Sequence, residues 1–186
     1  ADGRVLQRPG IVHRLDAETS GVVVIAKTAA AFGYLKHAFQ AREVDKTYDA
    51  FLYGVPRERS GTIALPIGRS RSDFRKYSAE RGARGKLREA VTEYRVLEAA
   101  GGFSFVEARP KTGRTHQIRV HFKAIGHPVV CDRRYAVGRP CAFGFQRLAL
   151  HARLLSFTTC GGVRLTLEAP FPDDFERALI LFRGTQ

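Results

Sequence analysis

The side chain best suited to chemistry is a single carboxylate, Asp16, within the polar stretch 13–21, HRLDAETSG. An ionised carboxylate can act as a covalent catalyst. The apolar run 22–26 follows directly, and its β-branched residues predict a buried strand. Asp16 would then lie on a loop anchored by a rigid element, where catalytic residues are often found. The competing interpretation is a turn, in which the Asp16 carboxylate binds nearby backbone amides and Ser20–Gly21 closes the turn.

Two further stretches hold a tyrosine and an arginine that could serve the same site. The pattern of residues 46–53 predicts a strand with Tyr48 on one face, where the usual role of such a ring is core packing. Residues 116–125 predict a helix capped by Thr115, and Arg119 lies on it. The competing interpretation of Arg119 is a surface cation. Arg114 and His116 lie near the start of this helix, where basic groups and free amides can hold phosphate.

A third stretch, 68–88, is basic and carries two aromatic rings. Its cations and rings are Arg69, Arg71, Arg75, Lys76, Arg81, Arg84, Lys86 and Arg88, with Phe74 and Tyr77. Cations that meet phosphates, beside rings that stack on bases, are typical of an RNA-contacting loop. We expect such a loop here, ordered or disordered without its partner. A solvated charged face is the alternative.

Several familiar sites are not indicated. His116 and His121 are five residues apart, which does not fit the zinc-protease helix, and no nucleotide-binding glycine motif or serine-nucleophile motif is found. The odd number of cysteines and their spacing suggest neither a disulfide framework nor a zinc site, so we expect reduced cytosolic thiols at Cys131, Cys141 and Cys160. The candidate set suits work on a nucleic acid without metal or cofactor.

Charge points to a polyanionic partner. The chain of 186 residues carries a net charge of +13, which favours nucleic acid over an anionic membrane, since no basic amphipathic helix with an aromatic face is evident. No apolar run approaches the ~20 residues of a membrane span. We therefore expect a cytoplasmic monomer that binds RNA and does not bind membranes.

The order of predicted elements indicates an α+β fold with a mixed, largely antiparallel central sheet flanked by helices and loops. Consecutive hairpins outnumber strand–helix–strand units, which argues against a parallel sheet. The remaining predictions are a helix over 29–41 capped by Thr28, a strand over 61–67, hairpins 90–98 with 103–109 and 148–158 with 163–168, an irregular segment 132–146, and a helix over 174–183 capped by Asp173.

Taken together, three stretches resemble the motifs of the RluA-type RNA pseudouridine synthases. They are HRLDxxTSG at 13–21, KxYxA at 46–50 and GRTHQIRVH at 113–121, and RLxLHA at 147–152 also resembles that family. Their order and spacing agree from about Gly10 to the C-terminal helix. The joint match is specific, whereas each fragment alone would be weak. The resemblance implies the pseudouridine synthase fold.

It also implies an isomerase that detaches uracil from ribose, turns it and rejoins it through C5. Asp16 would be the nucleophile, attacking either the ribose anomeric carbon or the base. Tyr48 would stack on the base and remove the C5 proton, and Arg119 would keep Asp16 ionised and oriented. Arg14 would fill the space left by the flipped base. The expected substrate is ribosomal large-subunit RNA, with transfer RNA as the alternative.

Two other interpretations remain. A non-catalytic, ribosome-associated RNA-binding protein would use the same basic surface without needing Asp16. A nuclease is disfavoured because no paired carboxylates or histidines supply acid and base.

We expect 1–186 to be a single catalytic domain that lacks an N-terminal segment. The chain contains no Met, and residues before Gly10 do not match the Lys-Pro-x-Gly-Leu-like segment with which the family's catalytic domains usually begin, often after an RNA-binding domain of the S4 type.

Overall fold

The computed structural model describes residues 10–79 and 83–185. Arg81 of the basic stretch and residues 1–9 lie outside this part of the chain. Within it are three helices and ten strands: β1 Ser20–Gly21, α1 Ala29–Ala41, β2 Asp45–Tyr53, β3 Ser60–Ile63, β4 Ile67–Ser70, β5 Tyr77–Ser78, β6 Ala83–Arg88, β7 Thr92–Ala100, β8 Phe103–Pro110, α2 Gln117–Ala124, β9 Leu150–Thr158, β10 Arg164–Glu168 and α3 Asp173–Arg183.

The main sheet has seven strands in the order β1-β9-β2-β8-β7-β3, and β10 also pairs with β9. Only the short β1–β9 pair is parallel among the strands described. The predicted α+β class with a largely antiparallel sheet is confirmed. Both predicted hairpins are confirmed as well, as β7–β8 and β9–β10.

The central strand β2 is buried on both faces. On one face, Phe51 lies 5.9 Å from the ring of Phe175 and 5.5 Å from that of Phe182, both in α3. On the other, Tyr48 pairs with Ala108, which pairs with Tyr94. The Tyr94 ring meets α2 through Phe122, with centroids 5.8 Å apart. Helices therefore cover both faces, and Tyr48 lies on the α2 side.

Helix α1 was predicted correctly, from its N-cap to its last residue. The Thr28 hydroxyl accepts a hydrogen bond from the Ala31 amide. Leu35 and Ala38 are buried against Leu155 and Phe157 of β9, and Phe32 and Phe39 are partly buried there.

The predicted buried strand over 22–26 is wrong. In this part of the chain the strand is limited to Ser20–Gly21. The side chains of Val23 and Ile25 are 45% and 63% exposed. The Val22 amide still donates to the Ala152 carbonyl of β9, but beyond it the Val24 amide donates to His13 Nε2 and the Ala26 amide donates to the Gly10 carbonyl.

The expectation that 68–88 forms a loop is corrected as well. Strands β4, β5 and β6 form a separate three-stranded antiparallel sheet in the order β5-β4-β6. The sheet is anchored because Ile67 packs in a small core with Val120 and Tyr135, while most charged side chains stay exposed.

Two predicted helix caps are wrong. His116, not Thr115, is the N-cap of α2, and it makes no capping hydrogen bond through its side chain. Asp173 is the first residue of α3, and its N-cap is Pro172.

Candidate functional site

Asp16 is paired with Arg119. Arg119 Nη1 lies 3.2 Å from Asp16 Oδ2. The turn at this loop is closed by the main chain, since the Thr19 amide donates to the Asp16 carbonyl. Arg119 is only 8% exposed, so its interpretation as a surface cation is wrong. The Asp16 carboxylate thus faces the arginine instead of serving as the acceptor that closes a turn.

A second carboxylate, Asp132, holds the same guanidinium more closely. Arg119 Nε donates to Asp132 Oδ2 at 2.7 Å, and Nη2 donates to Oδ1 at 2.8 Å. Burial lowers the pKa of Arg119, but the bonds to Asp132 and the charges of Asp132 and Asp16 more than offset this and raise the pKa above its ordinary value. Asp132 lies in the segment interpreted as irregular, where one acidic residue gave no signal of this role.

Tyr135 completes the surroundings of the guanidinium. Its ring lies 5.0 Å from Arg119 Cζ, within the range of a cation–π contact. Its hydroxyl lies 2.8 Å from His116 Nδ1 and accepts a hydrogen bond from the Tyr77 amide. Burial lowers the pKa of His116, although the negative charge of Asp16 opposes that shift. Burial therefore favours the neutral form of the His116 imidazole.

A cleft of about 540 Å³ brings the three predicted motifs together. Its lining includes the predicted site residues Arg14, Asp16, Tyr48, Arg114 and His116. Tyr48 is half-buried there, and burial, with a smaller contribution from the charge of Asp16, raises its pKa to about 12. The phenol is therefore protonated at neutral pH.

Buried polar side chains fix the third motif to the sheet. Gln117 donates to the Val91 carbonyl and the Thr92 hydroxyl, and its own oxygen accepts from Thr112 Oγ1. His121 Nδ1 lies 2.9 Å from the same Thr92 hydroxyl. These contacts assign Gln117 and His121 to positioning the start and middle of α2, and hence Arg119.

The Asp16 loop is clamped to β9 at its far end. Ser20 Oγ lies 2.9 Å from His151 Nδ1 and accepts a hydrogen bond from Arg147 Nη2. A Cβ at Gly21 would lie 2.2 Å from the Ala152 carbonyl oxygen, and Gly21 has a φ of 125°. Only glycine fits this close approach.

Part of the basic stretch lines a second groove, of about 470 Å³, which adjoins the cleft at 113–115. The cations that line it are Arg69, Arg84, Lys86, Arg88 and Arg114. Arg71, Arg75 and Lys76 do not line it. Arg75 and Lys76 lie near Asp73, at 3.2 and 4.0 Å.

The expectation that all cysteines are reduced is corrected. Cys131 and Cys141 form a disulfide, with Cα atoms 4.6 Å apart, and Cys160 is free and exposed. Tyr53 draws the ends of the intervening loop together, because its hydroxyl donates to the Pro140 carbonyl and accepts from the Cys131 amide. Sequence spacing alone does not reveal this proximity.

Residues 10–79 and 83–185 contain neither a cluster of metal ligands nor a membrane-spanning helix. They hold no group of three or more histidine, cysteine or acidic side chains arranged for a metal ion. They also contain no helix that is both long and apolar enough to span a membrane.

Curated relatives match nearly the whole chain. An uncharacterised RNA pseudouridine synthase of Mycobacterium bovis is 44% identical over 183 residues, covering 97% of this chain and 58% of the relative. Ribosomal large subunit pseudouridine synthase D of Pseudomonas aeruginosa is 42% identical, with 95% and 57% covered. The chain therefore spans a little over half the length of these relatives.

Solved structures share the fold. Human RNA pseudouridylate synthase domain containing 1 superposes with a TM-score of 0.78 at 35% identity, over 88% of this chain and 69% of that one. Human RNA pseudouridylate synthase domain containing 4 gives 0.78 at 29% identity, over 94% and 76%. The sequence profile of the family described as RNA pseudouridylate synthase matches residues 2–124. The chain belongs to the RNA pseudouridylate synthase family.

Proposed function

We propose that this chain is a single catalytic domain that converts uridine in RNA to pseudouridine. The observation that carries the proposal is the pairing of Asp16 with Arg119 beside a cleft that Asp16 and Tyr48 both line. A carboxylate held by a buried cation, and not needed to close its own turn, is available for chemistry.

In the proposed reaction, the bond between uracil N1 and ribose C1′ breaks, the base turns, and a bond from C5 to C1′ forms. C5 loses a proton and N1 gains one, so the atoms balance without a co-reactant. The Asp16 carboxylate attacks either C1′ or the base and holds that fragment covalently while the base turns. Arg119 orients the carboxylate through a charge-assisted hydrogen bond.

Tyr48 provides a ring against which the target base stacks, and its oxygen receives the C5 proton. Because its pKa is raised to about 12, the phenol must release its own proton as it takes the one from C5. The Asp16 carboxylate, whose charge contributes to the raised pKa, is a suitable acceptor once it is free again, and it returns to its ionised form when N1 takes that proton.

The target uridine has to leave its stack to reach the cleft. Extruding a nucleotide costs a few kcal/mol, so a side chain that occupies the vacated space favours the process. Arg14 is exposed at the cleft, and its planar guanidinium can stack on bases as well as pair with phosphate. We assign that filling role to Arg14.

The flanking RNA is proposed to follow the second groove. Five cations of the described residues line it, and it meets the cleft beside Arg114 and Thr115, so a strand bound in the groove would lead to Asp16. Cations that neutralise successive phosphates supply affinity without base specificity.

Ribosomal large-subunit RNA is the proposed substrate, and transfer RNA is the alternative. Relatives from Pseudomonas aeruginosa and Zymomonas mobilis carry the name ribosomal large subunit pseudouridine synthase D, at 42% and 37% identity. The proposal extends that substrate class to this chain.

Transcripts of both RNAs, incubated with the protein, treated with a carbodiimide that labels pseudouridine and so adds mass to it, and then digested for mass spectrometry, test the proposal. We expect pseudouridine at one or a few uridines of the large-subunit transcript. Conversion in the transfer RNA transcript alone would make transfer RNA the substrate in place of ribosomal large-subunit RNA. Tight binding of both RNAs with no pseudouridine in either would support the RNA-binding protein instead.

A further inference from the structure

We propose that Asp132 is the positioning residue of the site: it fixes the Arg119 guanidinium so that one nitrogen, Nη1, is directed at Asp16. The inference rests on the proposed function for its consequence in catalysis. Its geometric part, that Asp132 and not Asp16 sets the orientation of Arg119, can be tested without any activity.

The hydrogen bonds divide the guanidinium unequally between the two carboxylates. Asp132 receives two, at 2.7 and 2.8 Å, through both of its oxygens, whereas Asp16 receives one at 3.2 Å. A bidentate fork fixes the plane of the guanidinium, while a single longer bond leaves rotation open. Asp132 therefore determines the orientation of the guanidinium, and Asp16 accepts a hydrogen bond from the remaining nitrogen, Nη1.

Asp132 is itself rigidly placed. Its side chain is fully buried, and Oδ1 also accepts hydrogen bonds from the Arg134 and Tyr135 amides, both at 3.0 Å. The Tyr135 ring lies against the guanidinium, and the Cys131–Cys141 disulfide closes the loop that carries both residues. Because Asp132 is held by several contacts, it can keep the Arg119 guanidinium in the precise position that a catalytic site requires.

This division of the guanidinium suits a nucleophile. A carboxylate gripped by two short charged hydrogen bonds would be a weak attacking group, because both oxygens would be engaged. Asp132 takes up that grip. Asp16 keeps the positive charge of Arg119 nearby. Among residues 10–79 and 83–185, its carboxylate makes one side-chain hydrogen bond, through Oδ2.

The replacement Asp132→Asn tests the role with little disturbance of the loop. The amide oxygen can keep the place of Oδ1 and its two backbone hydrogen bonds. The amide nitrogen then faces Arg119 Nε, donor against donor, so the fork is broken. The matched control is Asp49→Asn: Asp49 is also buried and bonded to an arginine, Arg153, but on the opposite face of β2.

At saturating RNA, we expect Asp132→Asn to lower the single-turnover rate by about 100-fold, the loss typical of a small misplacement of a reacting group. The dissociation constant for RNA should change by less than about twofold, because Asp132 does not face the cleft. In an Arg119→Lys background, adding Asp132→Asn should cost little more, since residues that act through one another are not additive.

Asp49→Asn should lower the melting temperature without changing the single-turnover rate. A normal rate in folded Asp132→Asn would overturn the proposal. The proposal would also fail if the rate loss of the double variant equalled the product of the losses caused by Asp132→Asn and Arg119→Lys alone.

Crystal structures decide the geometric part even if the wild-type protein makes no pseudouridine. In Asp132→Asn, we expect Arg119 Nη1 to move beyond hydrogen-bonding distance of Asp16. In Asp16→Ala, which is also informative if Asp132→Asn fails to fold, Arg119 should keep its position against Asp132. An Arg119 that leaves Asp132 when Asp16 is removed would show that Asp16 sets the orientation, and the proposal would fail.

Discussion

At the scale of single residues, one guanidinium lies between two carboxylates in a largely buried setting, and burial lowers the pKa of His116 close by. Removing water strengthens such contacts, but an unpaired charge left behind becomes costly. The arrangement therefore links the stability of the site to its chemistry.

Tyr48→Phe should keep the fold and the affinity for RNA and should lose turnover. The phenylalanine ring fills the same space and can still stack on a base, and only the hydroxyl is gone. Binding and single-turnover measurements on the same preparation check this. Near-normal formation of pseudouridine would show that the hydroxyl is dispensable.

The raised pKa of Tyr48 also predicts how stability depends on pH. An unfolded tyrosine ionises near its ordinary pKa of 10, whereas folded Tyr48 stays protonated until about pH 12. The unfolded state thus binds fewer protons in this window, so the free energy of unfolding falls as pH rises from 10 to 12. Tyr135 contributes in the same way.

Urea melts between pH 9 and 11 should therefore show a shallower loss of stability for Tyr48→Phe than for the wild type. Equal slopes for the two proteins would mean that Tyr48 titrates normally in the folded state.

Residue patterns predicted Asp16, Tyr48, Arg119, Arg14 and His116 for the candidate site, because three motifs carry them. They did not locate Asp132 or Tyr135. Which residues surround a buried arginine depends on how the chain folds in three dimensions. A single acidic residue in an irregular segment shows no periodicity or spacing from which that contact could be predicted.

At the scale of elements, prediction succeeded where local patterns and tertiary packing agree. Helix α1 combines a cap with an amphipathic pattern, and both hairpins carry glycine turns. The apolar run 22–26 gave a wrong prediction, because Val23 and Ile25 are exposed and the Val24 and Ala26 amides bond to a histidine and a loop carbonyl instead of a neighbouring strand. The basic stretch 68–88 gave no alternation strong enough to predict three strands.

The disulfide loop supports the next prediction. Cys141→Ser should lower the free energy of unfolding by about 2–3 kcal/mol relative to the oxidised wild type, because a loop of this length is no longer closed in the unfolded chain. Denaturant melts measure the loss. The matched control is Cys160→Ser at the free, exposed cysteine, which should be neutral. Equal stability of both variants and the wild type would mean that Cys131 and Cys141 are not joined in solution.

At the scale of the whole molecule, the excess of 31 Lys and Arg over 18 Asp and Glu predicts that the proposed binding to RNA depends on salt. If roughly six phosphates are neutralised, the logarithm of affinity should fall with the logarithm of salt with a slope of about −4 to −5. Lys86→Ala, in the groove, should reduce this slope by roughly 0.7. Arg75→Ala removes the same charge outside the groove and should change the slope less. A slope near zero for the wild type would contradict the electrostatic account of binding.

The most direct test of the central claim, that Asp16 is the nucleophile, is a single-turnover assay of Asp16→Asn paired with a melting curve. The amide keeps the size of the carboxylate but cannot form the covalent link. Stability should change by about 1 kcal/mol, since Arg119 keeps its bonds to Asp132. The account predicts a folded protein that binds RNA and forms no pseudouridine. A folded Asp16→Asn protein that still converts uridine would contradict it.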